Sequence, residues 1–229
     1  MILIFVEHPF GLPEKIVILP DLSFSVRVNF AAITWKAPSK MQKQKLRDFI
    51  QNEFLEITEK DKKSFNKNIF EHFKKIFPLE TPLRIGSYIS KDNEVSTKAI
   101  NKFILEKGSS LYLPKIKSKG NSKKLKFLKF SNNDGLELGD YGILEPKDKG
   151  KSLKPESLDL IIIPIRGLNK TNKRLGFGGG YYDRCLSTVN KLKFIGICYE
   201  FQKNLSFRSY DHDIEISTII FPTGYFRKA

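Results

Sequence analysis

The sequence predicts an α/β protein, a three-layer αβα arrangement with a mostly parallel central sheet and a glycine-rich phosphate loop between a core strand and a helix. Short apolar, largely β-branched runs at 160–163, 193–199 and 216–221 read as buried strands. Segments 41–54, 59–77 and 96–107 read as helices, and 176–180 holds four glycines in five positions.

At 229 residues and +15 net charge, the chain fits one medium domain, or one domain with an appendage. Its hydrophobic fraction is 40%, and no apolar run approaches the ~20 residues that span a bilayer, so no membrane partner is expected. The basic excess admits a nucleic-acid binder, a selector of anionic small molecules or a lysine-rich coding bias. Its lysines are spread along the chain and its aromatics follow core periodicities, which argues against nucleic acid. Cys185 and Cys198 lack metal-ligand spacing and are too few for a disulfide framework, so a reducing, cytoplasmic setting is expected.

Residues 1–40 carry four prolines and short alternating patches such as Phe24-Val26-Val28, compatible with strands or with loose chain. They are read as an N-terminal extension, possible as an upstream extension of the reading frame, ahead of a domain spanning 41–229. Ser39 can cap the first helix, whose buried stripe is Leu46, Phe49, Ile50 and Phe54. Lys43 and Arg47 lie four apart on one face, an arrangement that suits a polyphosphate and is also common on solvated surfaces. In the second helix Phe65, Ile69, Phe73, Ile76 and Phe77 recur at helical spacing until Pro78 stops it. Residues 83–90 read as a strand, leaving Glu94 past its carboxyl end, where open α/β sheets gather ligands. Residues 109–114 supply another strand, the six lysines within 115–126 read as a solvated loop, and 125–130 as an exposed strand.

The string Arg174-Leu175-Gly176-Phe177-Gly178-Gly179-Gly180-Tyr181-Tyr182-Asp183-Arg184 follows the core strand 160–163. Its glycines allow backbone N–H groups to approach an anion closely, and a helix opening at Tyr181 adds to the same positive potential. Asp183 in that helix's first turn could hold a metal ion against phosphates. The common nucleotide signatures GxxxxGK[ST] and GxGxxG are both absent.

This string, with a strand end at Pro164 ten residues upstream of Arg174, resembles the signature of the 5-formyltetrahydrofolate cyclo-ligase family. Asp140-Tyr141-Gly142-Ile143-Leu144-Glu145-Pro146 is similar to the family's aromatic-Gly-Ile-x-Glu-Pro element, and the likeness runs from about Met41 to Phe221. The resemblance implies ATP-dependent closure of 5-formyltetrahydrofolate to 5,10-methenyltetrahydrofolate, with Mg²⁺ as cofactor and ATP and the folate as partners of a monomer. It further implies ATP contacts from Lys43-Gln44-Lys45-Leu46-Arg47 and from 174–182, with Arg174 and Tyr182 at the chemistry. Folate contacts fall to Ile89, Glu94, Phe177, Gly178, Gly179, Gly180 and Tyr181. Asp183, joined by Asp213 of the late His-Asp segment, is the implied metal-ligand pair. Phe177 stands where some members carry Arg, and Ile165-Arg166 interrupts a Pro-Gly pattern, so Arg166, Lys173 or another lysine would supply the charge. A nucleotide-binding paralogue without folate ligase activity is the alternative reading.

Overall fold

The computed structural model describes residues 2–7, 15–19, 28–29, 43–119, 122–131, 134–139, 142–147 and 151–228. Ser39, Met41, Asp140 and Tyr141, together with Phe24 and Val26, lie outside them. The chain divides into two compact units, residues 1–40 and 41–229. In the first, β1 (Ile2–Glu7) pairs antiparallel with β2 (Lys15–Leu19) and parallel with β3 (Val28–Asn29).

The second unit opens with α1 (Lys43–Glu56) and α2 (Glu59–Ile76). The Thr58 side chain caps α2 by accepting from the Asp61 N–H, acidic Glu59 and Asp61 occupy its first turn, and Lys74 and Lys75 its last, all in favourable sense for the helix dipole. Then come β4 (Arg84–Gly86), α3 (Lys98–Glu106), β5 (Ser110–Lys119), β6 (Ser122–Phe130), β7 (Leu136–Leu138), β8 (Leu144–Pro146) and β9 (Ser152–Leu153). The chain continues through β10 (Leu160–Ile163), β11 (Gly167–Leu168), β12 (Arg174–Leu175), α4 (Tyr181–Cys185), β13 (Phe194–Ile197), β14 (Thr218–Phe221) and β15 (Gly224–Arg227).

Eight strands form the main sheet in the order β15-β14-β13-β10-β4-β5-β6-β9. The inner run β14-β13-β10-β4-β5 is parallel throughout, and β15, β6 and β9 join antiparallel at the edges. Because successive side chains point to opposite faces, β10 sends Ile162 to one core while Ile161 and Ile163 enter the other. The first core packs Leu46, Ile50 and Phe54 of α1, Ile69 and Phe73 of α2, and Ile100 and Ile104 of α3 against the sheet. The second is covered by the short α4 and the segment after it, through Tyr181, Leu186 and Val189.

Three sequence expectations need correction. Within the lysine-rich stretch 115–126, residues 115–119 and 122–126 are the outer part of the β5–β6 ladder and not a solvated loop, because the pattern has period two and pairs apolar Ile116 with Leu125. Residues 125–130 are not an exposed strand: β6 lies between β5 and β9, and Phe127 and Leu128 are buried. The strand expected over 83–90 ends at Gly86; Ser87 makes one further bond to the Tyr112 carbonyl before the chain turns. The β11–β12 hairpin also separates β10 from the glycine loop. The pairing of β15 with β14 was not foreseen.

Candidate functional site

The site lies at the carboxyl ends of the parallel strands, where β10 runs into Pro164 and β4 into the loop carrying Ile89 and Glu94. Two cavities meet there. One, of about 340 Å³, has apolar walls from Tyr88, Ile89, Ile116, Leu125 and Ile143, with Glu94 and Glu145 supplying carboxylates. The other, of about 400 Å³, is lined by Lys43 and Arg47 of α1, by the glycine loop, and by Asp183, Arg184, His212 and Asp213. Gly176, Gly180 and Asp183 line both, so the loop is a shared wall of backbone. Gly178 and Gly180 take left-handed backbone, with φ of 106° and 64°, which side-chain-bearing residues adopt only under strain.

On α1 only the two ends of the Lys43-to-Arg47 string line the second cavity. The Lys43 ammonium donates to Asp213 Oδ2 at 2.8 Å, and Arg47 Nε donates to the Gly176 carbonyl at 2.8 Å, fixing the loop to the helix. Gln44 braces this arrangement, accepting from Arg47 Nη1 at 3.3 Å and donating to Asp48 at 2.9 Å. Lys45 is exposed, and Leu46 is buried in the core. Leu175, which lines the second cavity, receives the Arg166 N–H on its carbonyl.

Arg174 is 3% exposed. Its Nη2 donates to both Asp183 oxygens at 2.9 Å and its Nη1 to the Pro164 carbonyl at 3.1 Å, while its Nε is buried without a hydrogen-bond partner among the described residues. Its guanidinium also lies 5.5 Å from the Tyr182 ring centre. Burial pushes the Tyr182 hydroxyl above its ordinary value, which favours its neutral form. Tyr181 and Phe177 line the apolar cavity, and Phe177 is 46% exposed at its rim.

Burial also raises the Glu94 carboxyl, against the opposing pull of the Lys91 N–H, which donates to Glu94 Oε2 at 2.7 Å, and of the Lys91 and Arg166 charges. For Asp213 burial acts upward too, but the Lys43 ammonium and the Tyr210 N–H outweigh it and hold the carboxylate below its usual range. Among the described residues no cluster of three or more His, Cys, Asp or Glu side chains could hold a metal, and no helix is long and apolar enough to cross a membrane. Asp183 and Asp213 nevertheless face one cavity, a pair of hard oxygen donors that needs ligands from a bound phosphate and water to complete a magnesium shell.

Of the bases expected to compensate Phe177, Lys173 is turned away onto the Tyr210 carbonyl at 2.8 Å. Arg166 lies 5.5 Å from the Phe177 ring centre. Sequence reading passed over Tyr88 and Glu145, which line the apolar cavity, and Gln51, which accepts from Arg166 Nη2 at 2.6 Å. Glu145 stood in a noted motif, but a tyrosine in a strand run and a glutamine on a helix carry no signal of their own.

The chain matches the model of the 5-formyltetrahydrofolate cyclo-ligase family over residues 39–222. It is 26% identical to the 5-formyltetrahydrofolate cyclo-ligase of Haemophilus influenzae over 182 residues, covering 78% of this chain and 97% of that one. The Escherichia coli protein of the same name is 28% identical over 151 residues, covering 64% and 81%. Among solved structures, the 5,10-methenyltetrahydrofolate synthetase of Aquifex aeolicus superposes with a TM-score of 0.69 at 25% identity over 82% of this chain and 93% of that one. The corresponding enzyme of Mycoplasma pneumoniae gives 0.63 at 25%, over 80% and 99%. A match across this much of the sequence, together with the sheet and the glycine loop, makes the chain a member of the 5-formyltetrahydrofolate cyclo-ligase family.

Proposed function

We propose that the protein converts 5-formyltetrahydrofolate and ATP into 5,10-methenyltetrahydrofolate, ADP and phosphate. The observation that carries this reading is the shared wall: an apolar cavity with a few carboxylates and tyrosines meets a basic cavity across a loop of glycines. A folate ring fits the first chemistry and a triphosphate the second.

In this reading the formyl oxygen attacks the γ-phosphorus and ADP leaves, giving an imidate phosphate. Nitrogen 10 then attacks the formyl carbon, phosphate departs with the former formyl oxygen, and nitrogen 10 loses its proton. The protein contributes position and charge. Lys43 and Arg47 balance the phosphates, the loop amides donate to developing charge, and Glu94 and Tyr181 orient the folate, with Ile89 and Phe177 packing its ring. Arg174, sealed behind Asp183, acts by holding that carboxylate and the Tyr182 ring in place. Asp183 and Asp213 would hold Mg²⁺ arriving with the nucleotide, and its charge would offset that of the phosphates.

The test is the absorbance of the methenyl product when purified protein meets 5-formyltetrahydrofolate, Mg²⁺ and ATP. An ATP-dependent rise is expected. No rise from folded protein that still binds ATP would overturn the ligase reading in favour of a nucleotide-binding paralogue.

A further inference from the structure

Arg166 is 4% exposed, at the turn between β10 and β11, and takes no part in the chemistry described above. It forms no ion pair among those of the described residues, so its charge is buried against neutral acceptors. Burial lowers its basicity, and the fields of Glu94 and Asp48 oppose that effect. Such a residue is costly to keep if it only fills space, because an apolar side chain of the same length would pack without desolvating a charge.

Its guanidinium reaches three segments of the two cavities. Nη2 donates to the Arg47 carbonyl at 3.0 Å and to Gln51 Oε1 at 2.6 Å, both on α1. Nη1 donates to the Asn93 carbonyl at 3.2 Å, one residue before Glu94, and Asn93 Nδ2 donates to the same Gln51 oxygen at 2.6 Å. The Phe177 ring of the glycine loop lies over the guanidinium. The fork-shaped donor set of arginine suits this three-way junction, and a lysine ammonium does not reproduce it.

We infer that Arg166 is a positioning residue that fixes nucleotide-facing Arg47 and folate-facing Glu94 relative to one another, so that both substrate sites depend on it together. The inference rests on the functional reading above. Its experiment measures KM for ATP and for 5-formyltetrahydrofolate, with kcat, in Arg166→Met, Arg166→Lys and Gln51→Leu. Losing these bonds should raise both KM values of Arg166→Met by about tenfold, with a smaller change in kcat. Arg166→Lys should resemble it despite keeping the charge. Gln51→Leu, which removes the shared acceptor, should move both KM values in the same direction even if the Arg166 variants fail to fold.

A rise in one KM alone, a fall in kcat with both KM values unchanged, or restoration by lysine would overturn the inference. If the wild type binds both ligands but forms no product, calorimetric Kd values for ATP and for 5-formyltetrahydrofolate replace the KM values, with the same joint loss expected. A wild type that binds neither ligand would sink the functional reading and this inference with it.

Discussion

Lys43 Nζ and Asp213 Oδ2, 170 positions apart in sequence, lie 2.8 Å from each other across the basic cavity. The pair ties the start of α1 to the segment before β14, and it engages a cation assigned to phosphate and a carboxylate assigned to metal with one another. In the proposed function, nucleotide binding exchanges partners here. Lys43→Met is expected to raise KM for ATP by about tenfold, the loss of roughly one charge-assisted hydrogen bond. An unchanged KM in steady-state assays would remove Lys43 from the nucleotide site.

Asp183 is the only carboxylate that both cavities share among their described linings. Asp183→Asn should abolish turnover, and it should also destabilise the fold by about 3 kcal/mol, because Arg174 is left as a buried charge with a neutral partner. Combining it with Arg174→Met should recover stability and not activity. Denaturant unfolding of the single and double variants checks this; a double variant no more stable than Asp183→Asn would mean that the pair contributes by packing.

Glu94 makes stability depend on pH in a direction that can be stated. Its carboxyl is raised in the folded protein, so folding favours the neutral form; that stability is present below the ordinary value of 4.5 and is lost as pH rises through the folded value. Glu94→Gln mimics the neutral form. Its melting temperature relative to the wild type should be level in acid and climb as pH rises from 4.5. A difference independent of pH would show that the carboxyl titrates normally. The same variant should raise KM for the folate more than for ATP.

Gly178 holds φ at 106°, and a Cβ there would stand 3.6 Å from the Arg47 guanidinium carbon. Space is adequate and conformation is not. Gly178→Ala should cost about 1–3 kcal/mol in loop order and weaken nucleotide binding in proportion, as read by calorimetry. Full affinity would mean that the loop rearranges before it binds.

Much of this was legible in the residues. The period of Phe65, Ile69 and Phe73 gave α2, and the β-branched run at 160–163 gave the central strand, because both signals are local. The glycine string announced the loop because few other roles need four glycines beside two tyrosines. The lysines of 115–126 misled for a physical reason: strand alternation was there, but charge density was given more weight than period. Arg174 was expected at the ATP contacts through the family resemblance, and its burial behind Asp183 depends on a contact that composition does not reveal. The junction at Arg166 was the least visible, since two of its three acceptors are the carbonyls of Arg47 and Asn93, and backbone acceptors leave no trace in side-chain identity.

A partition made largely of glycine backbone also governs how the protein can change over time. Residues such as Ile89 and Ile143 on one side and His212 on the other can be exchanged separately, letting either compartment be retuned for a different guest. The glycines of the partition have no such freedom. A methyl group added at Gly179 would stand 2.8 Å from the Tyr181 ring and force it to move, and in the proposed reaction a shift of about 1 Å at that point would lower the rate on the order of a hundredfold. Drift is thus channelled to the flanks, and the glycines of 176–180 act as the gauge that sets the distance between the two halves.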